Sequence, residues 1–79
     1  MTQAADLART RRHQLTHDLA LTARLMRADL RLLERMDRVR GQVSEATREA
    51  ARNLQEFLER CRTVLREYDG LIEGLNTHP

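Results

Sequence analysis

Lysine and tryptophan are absent from this 79-residue chain, which has one cysteine, one proline, three glycines and two aromatic residues, Phe57 and Tyr68. Each scarcity excludes something. One cysteine, Cys61, excludes an intramolecular disulfide and a Cys-rich zinc site. Three dispersed glycines leave no glycine-rich loop to cradle a phosphate, and the shortage of turn residues argues against a β-rich fold. The uncharged stretch Leu19–Ala23 falls far short of the roughly 18 apolar residues that a membrane span needs. The first residues, Met-Thr-Gln-Ala-Ala-Asp-Leu-Ala-Arg, lack the basic and then apolar pattern of a secretory signal, and one free thiol suits a reducing compartment, so a cytoplasmic location is expected.

Arginine, leucine and alanine are what the chain has in plenty. Its 14 basic and 12 acidic residues nearly balance at a net charge of +2, unlike an acidic tail or a strongly basic nucleic-acid module. A lone chain of this length buries only about 60% of its unfolded surface, so its core is marginal unaided. With disulfides and Cys-rich metal sites excluded, association with another chain is the remaining support.

From Thr2 to about Arg40 neither proline nor glycine occurs, and the run of strong helix formers predicts one long helix, about 3–39. Leu15, Leu19, Thr22, Met26, Asp29, Leu33, Met36 and Arg40 follow a four–three spacing along one stripe. A second stripe, Leu21, Leu25, Ala28, Leu32 and Val39, lies beside it. Together they are wider than one partner helix can cover. Gly41 follows the basic turn Arg38-Val39-Arg40, and Ser44 precedes Glu45, so a turn at about 40–44 is expected. A second helix, about 45–73, carries Ala50, Leu54, Phe57, Cys61, Val64, Tyr68, Leu71 and Leu75, widened by Ala51, Leu58, Leu65 and Ile72. Gly70 and Gly74 weaken its end, and residues 76–79 are expected to fray.

These signals predict a single all-α domain, an antiparallel two-helix hairpin that completes a bundle with itself or a partner. The alternative is one long coiled-coil rod, because the four–three spacing continues across the turn through Met36, Arg40, Val43, Thr47, Ala50 and Leu54. Residues 1–40 hold nine Arg against five Asp/Glu, a net of +4, and residues 41–79 five against seven, a net of −2. An antiparallel hairpin sets those opposite signs side by side, as antiparallel rods also would.

Few side chains suggest chemistry. Arg24, Arg27, Arg31, Arg35 and Arg38 form a ridge at helical spacing, a candidate anion-binding surface because guanidinium forks grip phosphate or carboxylate. The plainer reading is a solvated helix face, and no aromatic residue interleaves it for base stacking. Arg9, Arg11, Arg12, His13 and His17 could form a basic arm, although an ordinary helix extension explains them as well. His13 and His17 share a helix face without a third local metal ligand. Cys61 sits in the apolar stripe as a small hydrophobe, with no base placed to activate it. The carboxylate pairs Glu45/Glu49 and Glu56/Glu59 lack the Glu-x-x-His partner of a di-iron bundle.

The expected function is therefore non-catalytic, with no metal, cofactor or small-molecule substrate: a helical protein–protein interaction module serving as adaptor, assembly factor or small chaperone. Leu19, Leu25, Met26, Leu32, Leu33, Phe57, Leu58, Leu65 and Tyr68 are the expected contact residues, toward a second copy or a helical partner. The alternatives are a nucleic-acid-binding helical dimer that uses the Arg ridge and a structural coiled-coil subunit. Small bacterial secretion chaperones and apparatus subunits are similar in architecture alone, and no motif here identifies a family.

Overall fold

The computed structural model describes residues 3–77 and consists of two α-helices, α1 (Gln3–Arg40) and α2 (Glu45–Thr77). They fold back on each other as an antiparallel hairpin 62 Å long and 15 by 10 Å across. Arg12 near one end bonds Asp69, and Asp37 near the other bonds Ser44, so the two helices run side by side over nearly their whole length. The rod is thereby excluded.

The turn explains why the chain reverses where it does. Gly41 has a φ of 74°, a left-handed conformation that costs an L-residue with a Cβ about 1–2 kcal/mol. Its N–H donates to the Asp37 and Arg38 carbonyls at 2.8 and 3.3 Å, and the Gln42 N–H reaches back to Asp37 O at 3.2 Å. This double closure satisfies the carbonyls left over at the end of α1. Arg38 and Arg40 in the last turn suit its negative dipole end. Ser44 then caps α2, its Oγ accepting the Thr47 N–H at 3.2 Å.

Asp37 links the two caps. It is 7% exposed, and its carboxylate accepts the Ser44 N–H at 3.0 Å. The Thr47 side-chain hydrogen bond is the largest cause holding its carboxyl below the ordinary 3.8; the Ser44 backbone bond adds to it, and burial acts the other way. One acidic side chain of α1 thus fixes the start of α2.

Between the helices runs one seam. Leu15, Leu19, Met26, Leu30 and Leu33 of α1 are half-buried there with Leu54, Phe57, Leu58, Cys61, Leu65, Tyr68 and Ile72 of α2, while Ala23 is buried. The expected stripe is corrected at four positions. Thr22, Asp29, Met36 and Arg40 are exposed, and Ala23, Leu30 and Asp37 occupy the seam instead. From Leu15 through Leu19, Ala23, Met26, Leu30 and Leu33 to Asp37 the spacing averages nearer 3.6 than the 3.5 of a strict heptad, because a helix paired with a single neighbour need not supercoil.

The end of α2 also differs from expectation. The helix continues past residue 73, through Gly74, Leu75 and Asn76 to Thr77, whose hydroxyl bonds Gly74 O at 3.2 Å. Ile72, half-buried against α1, stabilises that last stretch despite the two glycines. Of the frayed tail expected at 76–79, residues 76 and 77 are helical, and 78 and 79 lie outside the described residues.

Two predictions follow from the turn and α2. Gly41→Ala should lower stability by about 1–2 kcal/mol, whereas Gly70→Ala should raise it by about 1 kcal/mol. Gly70 has no positive φ, and a Cβ there would meet nothing within 4 Å. Denaturant midpoints of the two variants check both signs; a Gly41→Ala chain as stable as the parent would contradict the turn geometry. Asp37→Asn tests the carboxylate. A lowered native pKa means that its contribution is complete above about pH 4 and is lost as pH falls through the native value. The melting-temperature gap between parent and variant should therefore be widest near neutrality and narrow on acidification below the ordinary carboxylate range. A pH-independent gap would show that the charge does not matter.

Candidate interaction surface

A single seam leaves most of each helix outside the core. Among the described residues the buried apolar side chains are Ala5 and Ala23, and no large side chain is fully buried. The chain exposes 6354 Å², where a compact monomer of 9.2 kDa exposes about 4,900 Å². That excess of about 1,400 Å² exceeds the roughly 800 Å² each partner contributes to a standard protein interface.

The excess is not uniformly polar. At about 100° per residue, α1 divides into three faces. The first is the seam. The second is the Arg ridge, Arg24, Arg27, Arg31, Arg35 and Arg38, all exposed, and none of the five forms an ion pair among the described residues. The third is an apolar stripe turned away from α2: Leu21, Leu25, Ala28, Leu32, Met36 and Val39. There Leu25 is 61%, Leu32 57% and Val39 89% exposed.

On α2 the exposed apolar residues lie toward the opposite end of the hairpin. Val64, Leu71 and Leu75 follow Phe57 at helical spacing on one edge of the seam. An open groove of about 340 Å³ marks that side, lined by Leu19 and Met26 from α1 and by Asn53, Phe57, Arg60, Cys61 and Val64 from α2. The opposite groove, about 300 Å³, carries Arg24 and Arg27 beside Ala20, Leu58 and Leu65. One long side of the hairpin is thus apolar and the other basic. The outer edge of α2 on the apolar side is acidic, with Glu45, Glu49, Glu56 and Glu67 all exposed.

The residues expected to make contacts therefore separate into two groups. Leu19, Met26, Leu33, Phe57, Leu58, Leu65 and Tyr68 are half-buried in the hairpin's own seam, with the remainder of Phe57 and Met26 facing the groove. Leu25 and Leu32 stand wholly outside it. The N-terminal basic cluster is no loose arm. Arg9 pairs with Asp6 at 3.0 Å, and Arg12 grips Asp69 at 3.1 and 3.3 Å, tying α1 to the last turns of α2. Both partners of that tie are partly exposed, so it steers register more than it stabilises.

His13 and His17 are exposed on α1, and among the described residues no three His, Cys, Asp or Glu side chains gather as a metal would require. Cys61 is a free, half-buried thiol in the seam. Among the described residues no helix is long and apolar enough to cross a membrane. Sequence spacing did not single out Asp37 or Leu30. Leu30 breaks a strict four–three count, and an aspartate one turn before a glycine gives no sign that it will be buried. Comparison with known proteins brings no match: no family model, no curated protein and no solved structure is similar to this chain.

Proposed function

We propose that this chain is a non-catalytic helical interaction module, an adaptor, assembly factor or small chaperone that docks through the apolar side of its hairpin. The observation that carries this reading is the stripe of Leu21, Leu25, Leu32 and Val39, more than half exposed and aligned along one helix face. Scattered surface leucines are ordinary, but an aligned row beside an open apolar groove is a binding surface left uncovered. Met26 and Met36, unbranched and polarizable, suit a surface that adapts to what it binds. The two grooves beside the seam are open to solvent and lined mainly by apolar side chains, as suits a docking surface.

A second reading has its own support. Five exposed arginines without ion-pair partners among the described residues could hold the phosphates of a nucleic acid, and binding would then fall steeply with salt. A structural coiled-coil subunit would use the same apolar side, continued from one molecule to the next.

The two surfaces are separable by substitution. Truncating a buried phenyl costs about 3–5 kcal/mol, and the half-buried Phe57 belongs at the lower end of that range once its groove is covered. Loss of the exposed Arg31 costs at most about 1 kcal/mol. Phe57→Ala should therefore weaken association much more than Arg31→Ala in binding measurements at moderate salt. Because Phe57 also supports the seam, the Leu25→Ser/Leu32→Ser double variant is the companion, expected to stay helical while losing association. If Arg31→Ala proves the more damaging and its effect vanishes at high salt, the ridge is the working surface and the module reading falls.

A further inference from the structure

We infer that the apolar side of this hairpin is covered by a second copy of the chain, the two related by a two-fold axis along their length with both turns at the same end. The inference rests on the interaction-module reading and names its partner. The excess accessible surface of about 1,400 Å² per chain is enough for an interface in which each copy contributes the roughly 800 Å² of a stable dimer.

Shape favours self-pairing. Arg12 beside Asp69 and Asp37 beside Ser44 set the level of each α1 residue against α2. In that register most of the large exposed residues form a diagonal, with Leu7 on the same α1 face at the terminal end and Val43 in the turn lying outside it. Leu25, Leu32, Met36 and Val39 occupy the turn half of α1, and Val64, Leu71 and Leu75 occupy the terminal half of α2. The turn half of α2 presents small residues on the same side, Ala46, Ala50 and Asn53. A two-fold axis along the hairpin lays the α1 ridge of one copy over the small residues of the other copy's α2, and the reverse. Every helix then has antiparallel neighbours, as in an up-down four-helix bundle.

Charge selects this arrangement over the one with turns at opposite ends. With turns together, α1, net +4, lies on the partner's α2, net −2. With turns apart, α1 would lie on α1, net +4 against net +4. Like charges facing each other across an interface disfavour that pairing.

A nitroxide label on Gln42, in the exposed turn, tests this in full-length chain carrying Cys61→Ala and Gln42→Cys. Sedimentation equilibrium should show a dimer, and pulsed dipolar spectroscopy should show one intermolecular distance below about 30 Å, given helix spacings of 8–10 Å. Leu25→Ser/Leu32→Ser should raise the dimer dissociation constant at least about tenfold, because both leucines lie on the side the second copy covers. A dimer with labels more than about 45 Å apart, toward the 62 Å length of the hairpin, overturns this pairing and keeps the module reading. A Leu25→Ser/Leu32→Ser chain that dimerises as tightly as the parent overturns the placement of the second copy on the apolar side. A monomer that melts cooperatively, without dipolar modulation, overturns the pairing and leaves the module reading to a helical partner of another kind.

Discussion

Two helices can cover only one face of each other. A helix laid along one neighbour buries the residues that point toward it, and everything past a quarter turn remains in water. That constraint shapes this molecule more than any single contact. It is why the seam is made of half-buried leucines, and why fully protected apolar side chains are as small as Ala5 and Ala23. It is also why the leucines on the back of α1 have nothing of their own chain to pack against. Longer chains meet the same difficulty by adding a third or fourth helix; a hairpin meets it by association.

Since the seam alone specifies little, the ends of the hairpin do much of the work of alignment. At the turn, a left-handed glycine, a serine cap and a buried aspartate close α1 and open α2 within a few residues. Asp37 is the unusual member. A carboxylate costs free energy to remove from water unless hydrogen bonds replace its hydration, and here the Ser44 N–H and the Thr47 side chain do so. At the far end Arg12 and Asp69 make a two-point contact in partial exposure. The turn fixes which residues meet, the ion pair keeps the far ends in step, and the apolar ridge and groove on the open side inherit that register.

Much of this was legible in the residues. The absence of glycine and proline before Gly41, the basic turn ahead of it and Ser44 behind it marked two helices and their boundary to within a residue. The exact seam was harder to read. A strict four–three count from Leu15 chose Thr22, Asp29 and Met36, whereas a helix packed on one neighbour follows its own 3.6-residue turn and brings in Ala23, Leu30 and Asp37. Counting alone cannot tell which of two adjacent apolar stripes will face the partner helix, because both are wide enough. The end of α2 was read as weaker than it is, since glycine lowers helix propensity locally while Ile72 packs across the seam. The Arg ridge and the back stripe, by contrast, lie where helical spacing puts them.

Folding and association are coupled if the exposed stripe is a surface left for another chain. A hairpin with so few protected side chains then draws part of its stability from what covers it, and mass action makes that share depend on concentration. The direct measurement is the melting temperature of the purified chain, followed by circular dichroism across about a hundredfold range of protein concentration. The midpoint should rise steadily as the chain is concentrated. A midpoint that stays constant over that range, with a single cooperative transition, would show that the hairpin is complete by itself and that its apolar side needs no cover.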